Sequence, residues 1–212
     1  PDWSKVTRAM EEAPAIYTPG ETLAYHPINY GWVIAELVRR VDGRTFDKFI
    51  AEELTAPLGM SNTYVGLPPG LEVRVSPMHK MEDDADPSGY SATFSNPVVL
   101  QSIVPGAAGV ATAGDLARFY AMMAGGGTLD GVTTMKPETV AEVTKQQSEG
   151  LDHSLDRNVK RSLGLSLGDP RSAAPGNESI RTFGHAGSGT SIGWANQDSG
   201  LALAYITNGF RA

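Results

Sequence analysis

Apolar positions recur at helical spacing in four stretches of the chain. Ile28, Val33, Ile34, Leu37, Val38 and Val41 fall close to one helical face, and Glu36, Arg39 and Arg40 face away. The pattern predicts an amphipathic helix anchored by a buried apolar stripe. Pro19-Gly20 marks a turn ahead of it, Pro27 suits its first turn, and Asp42-Gly43 supplies a glycine stop. Tyr25 then lies on a short extended run between turn and helix. A second helix is capped by Thr45, carries Phe46, Phe49, Ile50 and Leu54, and stops at residues 57–60. A third opens on Thr112-Ala113-Gly114-Asp115, carries Leu116, Phe119, Tyr120 and Met123, and ends at Gly125-Gly126-Gly127. A fourth runs from Pro137 to Gln146.

The rest is less periodic. Residues 61–108 hold many helix breakers, and residues 147–176 read as polar and loop-like. Within the latter, Leu163, Leu165 and Leu167 alternate as in a strand. Ile180 to His185 predicts another strand, and Ser191–Asn196 with Leu201–Thr207 predicts a hairpin turning at residues 197–200. Antiparallel strands beside several helices argue for an α+β architecture rather than alternating β/α units. The reading is one domain over residues 1–212, mainly helix and loop over 19–176, with antiparallel sheet over 177–212.

Composition narrows the function. The net charge is −7 and the pI about 5.1, which gives no basic footprint for nucleic acid. Cysteine is absent, which excludes thiolate chemistry and cysteine–zinc sites. No apolar run reaches the roughly 18–20 residues that a bilayer-spanning helix needs. Neither observation fixes the compartment, and the cytoplasm is the preferred reading. His26, His79 and His153 are scattered, so no metal site is expected. The acidic run at 82–86 lacks the alternating ligands and central glycine of a calcium loop and reads as a solvated turn. Pro105-Gly106-Ala107-Ala108-Gly109 lacks the context of a phosphate loop and reads as tight packing. Gly164-Leu165-Ser166-Leu167-Gly168 matches a lipase-type nucleophile motif, but Asp169-Pro170 leaves no room for the helix such an elbow needs, so a plain strand is expected.

Three stretches together resemble one family. PGETLAYHPINYGWVIAELVRRVDGRTFDKFIAEELTAPLGM looks like the tyrosine segment of β-lactamase-like serine hydrolases. Thr182-Phe183-Gly184-His185-Ala186-Gly187-Ser188-Gly189 looks like their third motif. GAAGVATAGDLARFYAMMAGGGTLDG resembles their middle helix and glycine turn. The resemblance spans most of residues 15–209 and is nearest to the carboxylesterases of this fold, the family VIII esterases. It implies an antiparallel sheet flanked by helices, an acyl-enzyme route and no cofactor. It makes Tyr25 a proton relay, His185 its hydrogen-bonding neighbour, and the Ser188 backbone N–H an oxyanion donor. His26, Gly187, Tyr90, Phe94 and Trp194 become candidate substrate contacts. Pro27 stands where β-lactamases carry asparagine, and His185-Ala186 where they carry lysine and threonine. Both changes favour an uncharged ester over a β-lactam. A small ester or amide substrate is therefore expected, with a β-lactamase, D-alanyl-D-alanine peptidase or acyltransferase of the same fold, or a non-catalytic binding homologue, as the alternative readings.

The nucleophile itself is missing. Serines of this family sit in Ser-x-x-Lys, and no serine here is followed three positions later by lysine. The motif is expected outside these residues, on the same gene product or a second chain. The sheet is accordingly expected to expose an apolar face.

Overall fold

The computed structural model describes residues 2–81, 86, 89–168, 181–187 and 191–210. In chain order its elements are α1 (Trp3–Glu12), α2 (Asn29–Asp42), α3 (Phe46–Ile50), β1 (Tyr64–Val65), β2 (His79–Lys80), α4 (Tyr90–Ser95) and α5 (Pro97–Gln101). There follow β3 (Gly109–Val110), α6 (Ala113–Ala124), β4 (Thr128–Leu129), β5 (Val132–Thr133) and α7 (Pro137–Thr144). The chain closes with β6 (Ser148–Asp152), β7 (Arg157–Arg161), β8 (Ser166–Leu167), β9 (Thr182–Ala186), β10 (Ile192–Asn196), β11 (Ala202–Tyr205) and β12 (Gly209–Phe210).

Six strands form one antiparallel sheet in the order β11-β10-β9-β8-β7-β6. The order follows the chain, so each strand pairs with its sequence neighbour. Residues 148–161, expected to be loop, are the β6–β7 hairpin. Its residues are mostly polar, and the apolar alternation that marks a strand is missing. Cross-strand pairing supplies the signal instead: Glu149 lies opposite Lys160, with their charges 3.5 Å apart. The β10–β11 hairpin forms where it was expected.

Helix α6 seals one face of this sheet. Thr112 caps it by accepting from the Asp115 N–H at 3.2 Å. Asp115 turns outward to the preceding loop and accepts from the Asn62 backbone N–H and the Thr63 hydroxyl. Tyr120, Met122 and Met123 of α6 meet Val140, Leu165, Leu167, Phe183 and Ala195 in the main core. On the opposite face of the sheet, Leu203 and Tyr205 stay exposed.

Helix α2 departs from its expected orientation. Its buried residues are Gly31, Trp32, Ala35 and Glu36, while Val33, Ile34, Leu37 and Val41 are exposed. Two neighbours cause this. Helix α1 lays Trp3 against Trp32, ring centroids 4.8 Å apart, and donates its indole N–H to Glu36 at 2.7 Å. The glycine-rich turn at 105–109 presses Gly106 against Gly31 so closely that a Cβ on Gly31 would lie 2.4 Å from the Gly106 nitrogen. Only glycine admits that approach. Gly43, at φ +87°, ends the helix by donating to the Arg39 carbonyl at 3.1 Å.

Candidate active site

Tyr25 is held by the end of the β6 strand. Leu23 forms a parallel bridge with Asp152, and the His153 N–H donates to the Leu23 carbonyl at 2.9 Å. The next turn of the chain brings the Tyr25 N–H to Asp152 Oδ1 at 3.1 Å. Asp152 is buried, and the same oxygen also accepts from the N–H groups of Ser154 and Leu155. One carboxylate thus ties the tyrosine segment to the hairpin turn. Burying it is tolerable because these donors and a nearby cation replace its water.

That cation is Arg161. Its guanidinium carbon lies 5.3 Å from the centre of the Tyr25 ring. Nη1 donates to the Ser166 hydroxyl at 2.7 Å, and Nη2 lies 3.6 Å from Asp152 Oδ2. Ser166, the serine of the lipase-like pattern, is therefore a buried strand residue that fixes an arginine.

His185 reaches Tyr25 from β9. Its Nε2 lies 3.4 Å from the Tyr25 hydroxyl, with ring centroids 5.9 Å apart. Nδ1 lies 2.7 Å from the Ala186 carbonyl, which can only accept, so Nδ1 carries the proton. In the neutral imidazole Nε2 is then an acceptor, and the phenol donates to it. Burial pushes the Tyr25 phenol above its ordinary value; Tyr30 and Asp152 add to this, and Arg161 opposes it. As placed here the phenol is neutral at pH 7.

Tyr120 supports the same strand. Its ring occupies the space a side chain at Gly193 would need, and Gly193 lies opposite His185 in the ladder. Burial raises this phenol to about 12, and the His185 backbone opposes the shift.

The other expected site residues make the following contacts. His26 is exposed, with Nε2 3.4 Å from the Tyr17 hydroxyl and Nδ1 2.8 Å from the Ala24 carbonyl. Gly187 donates its N–H to the Ser191 carbonyl at 2.8 Å. Tyr90 and Phe94 pack on each other, and Tyr90 also meets Phe210. Trp194 lies opposite Gly184 in the ladder, so its side chain leaves the sheet on the other face from His185. Gly184 packs so tightly there that a Cβ would fall 2.6 Å from that of Trp194. Ser188 and the acidic run at 82–85 lie outside the described residues. Among the described residues no group of histidine and carboxylate side chains is arranged to hold a metal ion. Nor is any helix among them long and apolar enough to cross a membrane. Asp152 and Arg161 are the functional candidates that sequence reasoning missed; only their place on charged, non-alternating strands hinted at a hairpin.

A helix-flanked antiparallel sheet with a tyrosine segment meeting the third-motif strand defines the fold of β-lactamases and penicillin-binding proteins. The chain belongs to the beta-lactamase family, whose model matches residues 1–212. It is 31% identical to the esterase/beta-lactamase LipL of Mycobacterium tuberculosis, over 94% of this chain and 52% of that protein. A penicillin-binding protein homolog from Caulobacter crescentus superposes with a TM-score of 0.83 at 30% identity, covering 99% of this chain and 59% of that one. A family VIII carboxylesterase superposes with a TM-score of 0.87 at 27% identity, covering 100% of this chain and 59% of that one. The chain spans about half the length of the curated relatives it matches.

Proposed function

We propose that the chain is the tyrosine-bearing part of a serine hydrolase of carboxylic esters. The observation that carries this reading is the approach of the Tyr25 hydroxyl to His185 Nε2, 3.4 Å apart although 160 residues separate them. The nucleophile is a Ser-x-x-Lys serine outside these 212 residues. Tyr25 takes the serine proton as the acyl-enzyme forms and returns it to the leaving alkoxide. A neutral, raised phenol is a poor base, so the lysine ammonium of the same motif must lower it or pass the proton in concert. The Ser188 N–H is the proposed oxyanion donor, paired with that of the nucleophile. Tyr90 and Phe94 are proposed to line the acyl side. Pro27 and Ala186 offer no side-chain donor for a substrate amide or carboxylate, which favours uncharged esters.

A second reading, β-lactam hydrolysis, is favoured by one observation: the LipL relative is described as both esterase and beta-lactamase. The experiment compares p-nitrophenyl butyrate with nitrocefin on the complete protein, and labels it with a fluorophosphonate. Ester turnover should dominate, and labelling should vanish when the Ser-x-x-Lys serine is changed. Tyr25→Phe should lower turnover by two orders of magnitude or more, about the scale of a lost acid–base group. Unchanged turnover in that variant removes Tyr25 from the mechanism, and faster nitrocefin cleavage selects the second reading.

A further inference from the structure

The contacts around Tyr25 go further than the relay requires. Asp152 could close its hairpin turn with the Ser154 and Leu155 N–H groups alone. It instead spends the same oxygen on a residue 127 positions away. Arg161 could point its charge to water. It is clamped between Ser166 and Asp152, with its side chain 18% exposed, so that its guanidinium lies over the Tyr25 ring.

We propose that Asp152 and Arg161 are positioning residues for Tyr25, the carboxylate fixing the main chain at residue 25 and the guanidinium placing a fixed positive charge on the ring face. This rests on the relay reading given above. The chemistry follows from where a phenolate keeps its charge. Ionised phenol spreads negative charge into the ring, so a cation on the face stabilises the ionised form more than the neutral one. The charged and titratable groups that bear on the phenol are Tyr30 from α2, Asp152 from β6, Arg161 from β7 and His185 from β9. Of these, Arg161 is the permanent cation. It offsets part of the cost that burial and Asp152 impose, and it leaves less for a lysine ammonium to do. His26, next in sequence, is occupied with Tyr17 and the Ala24 carbonyl.

The test uses the complete protein and five variants. The readouts are the 13Cζ titration of Tyr25, assigned by its loss in Tyr25→Phe, and the pH profile of ester turnover. Arg161→Gln should move the Tyr25 titration up by about one pH unit, the lower end of what a charge at this range does. Arg161→Lys keeps the charge and should bring most of the shift back. Asp152→Ala removes the acceptor and should lower kcat roughly tenfold, on the scale of a misplaced acid–base group. Asp152→Asn keeps an oxygen in place and should restore most of that loss relative to alanine. If Arg161→Gln leaves the titration where it was, or if Asp152→Asn is as impaired as Asp152→Ala at equal folded fraction, the positioning role is refuted. The two ideas separate cleanly. Full activity in Tyr25→Phe ends the relay reading, whereas an inactive Tyr25→Phe with an unmoved titration in Arg161→Gln ends only the positioning role.

Discussion

Helices α6 and α2 use similar apolar residues to opposite ends. In α6, Tyr120, Met122 and Met123 are almost wholly inaccessible, pressed on β10 and β11 with Phe183 and Ala195. In α2, Val33, Ile34, Leu37 and Val41 are 44–88% exposed, and the inward face carries Gly31, Ala35 and Glu36 beside Trp32. The difference lies in the neighbours. The helix and sheet of the first region come from one stretch of chain, 113–205, and close on each other. The second region meets α1 on its polar side and the Gly106 turn at its start, and its apolar stripe has no cover among the described residues. An amphipathic stripe therefore states what ought to be buried and leaves open what will bury it.

Four measurements break or sharpen that contrast, beginning with the largest effect. Phe183 is fully buried at the centre of the closed region. Phe183→Ala should cost about 3–5 kcal/mol in urea unfolding, the range for deleting a buried aromatic ring. A loss below about 1 kcal/mol would mean that the α6–sheet core is not what holds the chain.

Gly193→Ala comes next. Its new methyl would sit 2.2 Å from Tyr120 Cε2 and 3.1 Å from Leu116 Cδ2. Overpacking of this kind costs about 1–3 kcal/mol, read as a lowered Tm. Because Gly193 lies opposite His185 in the ladder, the proposed ester turnover of the complete protein should fall with it.

Glu36 probes the open region. It accepts from Trp3, Arg39 and Arg40, and these donors, Arg39 first, hold its carboxyl well below the usual carboxylate range. Glu36→Gln should cost about 1–2 kcal/mol at neutral pH, the scale of a charge-assisted hydrogen bond. A depressed folded value means that the stabilisation is complete above the unfolded value near 4.3 and fades as pH falls below it toward the folded one. The Tm gap between wild type and Glu36→Gln should therefore be flat above about pH 5 and shrink below about pH 4. A gap that widens on acidification would contradict the ion-pair arrangement.

The smallest effect is expected at Leu37, 53% exposed. In the 212-residue chain Leu37→Ser should change stability by no more than about 0.5 kcal/mol, as surface substitutions do. In the complete protein a cost of about 2 kcal/mol or more would show that another segment covers the stripe. Equal small effects in both would show that it stays open.

The site was legible only in part. The residues of the proposed relay were nameable from motif resemblance, and Tyr25 and His185 do meet. Asp152 and Arg161 were not nameable, because their strands are polar and their partners lie 127 and 136 positions from them at residue 25. Tyr90, Phe94 and Trp194 look alike as candidate pocket walls in sequence. In space Tyr90 packs with Phe94 and Phe210, and Trp194 leaves the sheet on the face away from His185.

By itself the sequence determined the features that local forces decide. Thr112 caps its helix, Gly43 stops another, and residues 197–200 turn a hairpin, since each needs only a few neighbouring residues to be satisfied. Tertiary structure alone decided which face of α2 is inside, and that a carboxylate, a guanidinium and an imidazole from three strands meet at one tyrosine. Those outcomes depend on charges and ring contacts between residues far apart in the chain, where hydrophobic periodicity carries no information about partner or distance.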